Sequence, residues 1–243
     1  MTVKVIWIAR FRADIDKAAA RAHWRDVHGV LGADVPGLDR YTQSHVVAAV
    51  PPSTQWPAFD GYSSGWYADD DAYMRSMASP EWGAIGADSD NLFDTPFFWG
   101  MSAFVDEHVV VAPPVGGAKV AAIVRFADGA GDRWVARTEA LLRDVPGLEG
   151  AVLNVAGDAI GVAGRANELT LGFDGCAEYW FEDRTTLIRA LATPAWRGAQ
   201  QGIGSVASAP AEWWAVLQER LVKEEGRVQG HLAGEVQRGH APR

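Results

Sequence analysis

The groups best able to move protons cluster early in this chain: His23, His28, Tyr41, Gln43 and His45. A neutral imidazole titrates near physiological pH and can take or deliver a proton, while a phenol can donate to an oxygen as negative charge develops. His28 is the expected acid or base, Tyr41 the expected hydrogen-bond donor and His45 a third catalytic candidate, with Gln43 orienting a substrate. Other chemistries find less support. Cys176 is the single cysteine, which leaves no intramolecular disulfide and no multi-cysteine metal site. The Gly-rich run 156–167 has no phosphate-loop lysine. On a regular helix His23 and His28, five residues apart, face different ways and His23 points toward solvent. With no carboxylate cluster beside them, neither a metal nor another cofactor is expected.

The elements that must position these groups show themselves through an internal repeat. Arg21–Leu38 laid over Gly131–Leu148, an offset of 110, agrees at seven of eighteen positions, including Trp24/Trp134 and both Val-Pro-Gly-Leu runs. At an offset of 114, Phe59-Asp60-Gly61 recurs at Phe173-Asp174-Gly175, Trp66 meets Trp180, Ser79-Pro80-Glu81-Trp82 meets Thr193-Pro194-Ala195-Trp196, and Trp99 meets Trp213. The order and near-constant offset indicate a tandem duplication: repeat one over 1–110, a Pro-Pro/Gly-Gly linker over 111–118, repeat two over 119–221 and a polar tail over 222–243.

Within repeat one, Val3–Phe11 reads as a strand. A helix capped by Asp14 or Asp16 follows, with Ala20, Trp24, Val27 and Leu31 as its buried stripe. Strands at 38–47, 61–67 and 97–106 and a helix at 70–77 complete a βαββαβ, ferredoxin-like unit, and repeat two has the same order. Such a unit covers only one sheet face with helices. Two of them can bury the bare faces against each other, which predicts an α+β fold: a pseudo-dimeric α+β barrel in one chain, with a cavity between two four-stranded sheets. Leu38, next to the helix turn, should face the helices, and alternation then puts Tyr41, Gln43 and His45 inside the barrel.

Composition narrows the partners. With 22 Lys and Arg against 31 Asp and Glu the net charge is −9, and neither half is basic, so no nucleic-acid partner is expected. No apolar run approaches a membrane span and the N-terminus lacks a leader pattern, which points to a cytoplasmic protein without membrane contact. A monomer, as an internal pseudo-dimer, or a homodimer fits a barrel that closes on itself.

His23-Trp24-Arg25-Asp26-Val27-His28-Gly29, then Val35-Pro36-Gly37-Leu38 and Tyr41, resembles the N-terminal motif of the EthD family; the Phe-Asp-Gly and Ser/Thr-Pro-x-Trp motifs, present in both halves, resemble its downstream part. The resemblance implies the dimeric α+β barrel superfamily, whose members include cofactor-free cyclases, isomerases, decarboxylases, dehydratases and monooxygenases, with some haem-binding branches. The thirteen-residue spacing from His28 to Tyr41 is similar to a pair in methylmuconolactone isomerase.

The two copies differ where chemistry is expected. At the 110 offset, Tyr41, Gln43 and His45 become Ala151, Leu153 and Val155, while His28 becomes Thr138. That makes repeat one the equipped half-site and repeat two an apolar wall. Trp24, Trp66 and Trp82 are candidate substrate contacts, although their pairing across the repeats favours scaffold packing. Trp7 and Trp56 have no partners and are freer to touch a ligand, Trp56 from the loop Pro51–Pro57, a candidate lid. The expected activity is a lyase or cyclase using His/Tyr acid–base catalysis on a hydrophobic aromatic or polyketide-like molecule. An isomerase, a cofactor-free monooxygenase or a haem- or ligand-binding barrel are the alternatives.

Overall fold

The computed structural model describes residues 2–50, 57–126, 129–159, 172–204, 213–224 and 227–228. Repeat one runs β1 (Val3–Ala9), α1 (Lys17–His23), a π-helical turn (Trp24–His28), α2 (Gly29–Asp34), β2 (Leu38–Ala49), β3 (Gly61–Tyr67), α3 (Asp70–Met77), α4 (Pro80–Leu92), α5 (Thr95–Gly100) and β4 (Ser102–Val111). Repeat two runs β5 (Ala118–Val124), α6 (Gly131–Leu142), β6 (Leu148–Ala159), β7 (Gly175–Phe181), α7 (Arg184–Leu191), α8 (Pro194–Gly204) and β8 (Trp213–Glu224), followed by the short β9 (Arg227–Val228). The last long strand therefore continues past 221, where a tail was expected. Phe97–Gly100, expected in a strand, are helical behind the Asp94 cap, and Pro80–Leu92 is a helix the sequence reading did not include.

The strands form one antiparallel sheet in the order β2-β3-β1-β4-β6-β7-β5-β8, closed by β2 against β8, with β9 on the edge of β8. The seams, β4–β6 and β2–β8, join the repeats in equivalent ways. This is the expected eight-stranded barrel of two ferredoxin-like units. No helix among the described residues is long and apolar enough to cross a membrane.

Three clusters fill the molecule. One packs the helices of repeat one on its sheet, around Trp24, Tyr41, Tyr67 and Phe93. A second does the same in repeat two around Trp134, Tyr179 and Trp196. The third is the barrel interior, with Ile6, Ile8, Tyr62, Phe173 and Cys176 drawn from both copies. The interior also holds buried charge. Lys4 and Lys119 sit at equivalent positions, each opposite the matched tryptophan of the neighbouring strand, Trp66 or Trp180. Both reach Glu178, at 3.1 and 2.6 Å, and each has a second carboxylate, Glu107 for Lys4 and Glu219 for Lys119. Tyr62 and Asn154 donate to Glu178 at 2.7 and 3.0 Å. Burial would raise the Glu178 pKa, but Lys119 and Lys4 overcome it and hold this carboxyl well below the usual range.

A barrel so filled is not where the candidate residues meet. The register of β2 shifts between Leu38 and Arg40, so Leu38 pairs with Tyr67 and Tyr41 with Gly65. A bulge of this kind inserts one residue and moves everything after it to the other face. Leu38 and Tyr41 consequently both pack in the helix-side cluster. Simple alternation had set Tyr41, Gln43 and His45 in the barrel; they face the helices of repeat one instead.

Candidate functional site

Helix α1 starts on an Asp16 cap, whose side chain accepts from the Ala19 backbone. At Trp24–His28 the helix widens into one π turn, closed by the Gly29 N–H donating to the Trp24 carbonyl. Two side chains from the sheet hold it open. The Gln43 amide donates to the Trp24 carbonyl at 2.9 Å, and the Arg220 guanidinium, from the last strand of repeat two, donates to the Arg25 carbonyl. Gln43 and Arg220 are cross-strand neighbours on the β2–β8 seam. In repeat two Leu153 replaces Gln43 and cannot donate, and α6 is a regular helix.

The π turn changes which residues share a face. On a regular α-helix His23 and His28 would stand ~140° apart. The extra residue taken up by the π turn brings them round to one neighbour, Asp88 on α4. Asp88 Oδ2 lies 2.8 Å from His28 Nδ1 and Asp88 Oδ1 lies 2.8 Å from His23 Nε2. His23 is 40% exposed, as expected for that position, but it is not free. Asp88 was missing from the sequence reading along with its helix. Its signal was Ser79-Pro80, a cap and an N1 proline: the Ser79 hydroxyl accepts from the Trp82 backbone.

His28 is buried and lines a cavity of about 50 Å³ between the helices and sheet of repeat one. Its walls are Trp7, Tyr67, Trp82, Ile85, Phe98 and Trp99, and its polar groups come from His28, Tyr41, Ser63 and Ser89. With Nδ1 held by Asp88, Nε2 is the nitrogen left for a ligand. Burial pulls the His28 pKa below its ordinary value, and the Asp88 hydrogen bond works against that pull. The same bond lowers Asp88. The result is a neutral ring oriented by a carboxylate. Phe93 packs edge-on against it, the ring centres 5.2 Å apart.

The Tyr41 hydroxyl stands 3.2 Å from Ser63 Oγ and accepts from Gln43 Nε2 at 3.4 Å. Gln43 thus occupies a lone pair of the phenol and leaves its proton to be donated. Burial raises the Tyr41 pKa, which keeps it protonated. The ring needs Gly32, since a Cβ there would come 2.7 Å from Tyr41 Cε1.

The structure brings His28, Tyr41, Trp7 and Trp82 to one cavity. Three other candidates lie behind it. Trp24 is a packing residue against Phe11, Phe93 and His45, and Gln43 acts through Tyr41 and the π turn. His45 is buried with its ring centre 4.3 Å from Trp24 and its Nε2 3.3 Å from Gln43 Oε1, so it touches neither the cavity nor a ligand there. Burial, then Arg21, Arg220 and Arg25, push its pKa down to about 3. Trp66 is on the opposite face of β3, between Lys4 and Arg40. Trp56 and its loop lie outside the described residues. Among the described residues no three metal-ligating side chains are grouped, and His28 is the one histidine lining the cavity.

Residues 12–96 match the EthD domain family. An EthD-family protein of Bacillus halodurans is 24% identical, covering 39% of this chain and 90% of its own, with a TM-score of 0.33. Whole-chain matches share the two-repeat barrel. An anthrone oxidase-like protein has a TM-score of 0.62 at 12% identity, covering 92% of this chain and 94% of its own. A candidate monooxygenase of Fusobacterium nucleatum has a TM-score of 0.57 at 10% identity, covering 95% and 98%. The two whole-chain likenesses carry the fold. No curated protein matches this sequence.

Proposed function

We propose that this EthD-domain protein is an acid–base enzyme of the lyase or cyclase kind, acting on a hydrophobic aromatic or polyketide-like molecule held in the repeat-one cavity. The observation that carries the reading is the His28–Asp88 pair facing the Tyr41 hydroxyl in a cavity walled by aromatic rings. His28 Nε2 takes a proton from an acidified C–H or O–H of the substrate. Asp88 compensates the imidazolium that forms. Tyr41, its oxygen already receiving a bond from Gln43, donates its proton toward the neighbouring carbonyl as that oxygen gains charge. The proton returns from Nε2 to the product in a cyclisation, dehydration or decarboxylation. Such proton transfer contributes ~10²–10⁴-fold.

Anthrone, with acidic methylene protons next to flat rings, is a suitable probe. The protein should accelerate exchange of those protons in D₂O, and His28→Ala should lower that acceleration by ~100-fold or more while the circular dichroism spectrum and Tm hold. Unchanged exchange in His28→Ala would sink the proposal. A second reading, cofactor-free oxidation, is supported by the names of the two whole-chain neighbours. The same carbanion would meet O₂, giving the quinone and water from the methylene. O₂ uptake together with exchange selects the second reading; exchange without uptake selects the first.

A further inference from the structure

His23 takes no direct part in the proton transfer proposed for His28. Yet the π turn brings His23 and His28 to opposite oxygens of one carboxylate, both at 2.8 Å. Exposure falls along this line, from 40% at His23 through 13% at Asp88 to 5% at His28. One carboxylate can compensate one imidazolium, not two.

Resting on the reading of His28 as the base, we infer that His23 is a positioning residue that governs His28 through their shared Asp88, so that the three groups titrate as one unit. When His23 carries a proton it draws the Asp88 charge to itself, and an imidazolium at His28 is left without a counter-charge. With His23 neutral, Asp88 is available to His28 and proton uptake from a substrate becomes easier. Proton binding at the solvent-facing ring and at the cavity ring is therefore antagonistic, as expected for strongly coupled sites.

The surroundings leave this coupling intact. Asp88 reaches His28 from α4, Tyr41 and His45 face the helix from β2, Arg220 reaches it from β8, and Arg25 and Asp26 belong to its own turn. Arg25 is paired with Asp26, and His45 stays neutral down to about pH 3. Asp88 and His23 are the charged groups that act on His28. Repeat two has no such device: Arg133 and Thr138 stand at the two histidine positions.

The test is an imidazole nitrogen NMR titration of the ¹⁵N-labelled full chain without substrate. His28 in the wild type should titrate in two steps, one tracking His23. In His23→Gln, which keeps an N–H donor for Asp88 but removes the titrating charge, His28 should titrate in a single step with its midpoint raised by ~0.5 pH unit or more. The acid limb of anthrone exchange should move up by the same amount, a shift that a purely structural role for His23 would not produce. Asp88→Asn should lower the His28 midpoint in both backgrounds and abolish the two-step shape. Superimposable His28 curves in the wild type and His23→Gln would overturn the inference, as would two-step behaviour that survives in Asp88→Asn. Because the titration needs no substrate, its outcome is independent of whether His28→Ala loses the exchange activity.

Discussion

The two repeats share strand order, seams and most of their tryptophans, yet among the described residues the histidine and tyrosine that equip the cavity belong to repeat one alone. Position 65 shows how. In repeat one it is Gly65, and the Trp7 ring lies over it so closely that a Cβ would meet Trp7 Cη2 at 2.8 Å. In repeat two the equivalent residue is Tyr179, its ring in the helix-side cluster and 5.5 Å from Trp196, while the equivalent of Trp7 is the small Ala122. One copy lets a wall residue stand over a glycine and keeps space beneath the helices; the other fills that layer from the strand. The polar groups follow the same division. Thr138, in place of His28, is fully buried and its hydroxyl has no hydrogen-bond partner among the described residues. A ferredoxin-like unit tolerates either interior, so the cavity is an addition to the fold and not a requirement of it.

Importing residues of repeat two into repeat one should dismantle the site in graded steps. The largest effect is expected from Trp7→Ala with Gly65→Tyr, which transplants the filled arrangement. Tryptophan-fluorescence quenching by anthrone should weaken at least ~10-fold while the chain stays folded, since this packing already exists in the other half. Retained affinity would mean that the ligand binds elsewhere.

Gln43→Leu, copying Leu153, should be milder. It removes the donors to the Trp24 carbonyl and the Tyr41 hydroxyl, each buried, at a cost of about 1–3 kcal/mol. The turn should relax toward a regular helix, and the His23 contact to Asp88 should be lost. The expected readouts are a lower Tm, anthrone exchange down ~10-fold and disappearance of the two-step His28 titration. A variant that keeps that titration would show that Arg220 alone maintains the turn.

The smallest effect at neutral pH belongs to His45→Val, copying Val155. His45 stays neutral in the folded protein to about pH 3, whereas in the unfolded chain it takes up a proton near pH 6.5. A depressed histidine stabilises the folded state fully above the unfolded pKa, and the contribution is lost as pH falls from about 6.5 toward 3. By pH 4.5 the loss is about 2–3 kcal/mol. Urea denaturation should show a shallower fall of stability with acid in His45→Val, with little change at pH 8. An unaltered slope would mean that other groups dominate the acid limb.

The repeat, the barrel and the contrast in histidines were legible because they rest on residues compared at fixed offsets. Trp24/Trp134, Trp66/Trp180 and Trp82/Trp196 sit in equivalent elements of the two repeats, whereas Trp99 lies in α5 and Trp213 opens β8; the Asp16 and Asp69 caps accept from Ala19 and Ala72 as expected. What escaped depends on contacts distant in sequence or on breaks in periodicity. Counting alternate residues from Leu38 fails because the strand bulges directly after it. Helix α4, with three polar or small residues for each large one near Asp88, has little apolar rhythm to reveal it, and only the Ser79-Pro80 start marks it. The π turn is set by donors at Gln43 and Arg220, the second almost two hundred residues away, so no local pattern announces that His23 and His28 will meet.

The charged centre of the barrel bears on how such a chain evolves. Two identical subunits around a twofold axis can place only even numbers of any residue beside that axis. Lys4 and Lys119 obey this pairing, but Glu178 between them has Ser64 as its counterpart and stands alone. A lone acid shared by two equivalent lysines is open to a fused gene and closed to a homodimer. Once it is fixed, the halves are committed to each other, and a return to separate identical subunits would leave either no central carboxylate or two in the same place.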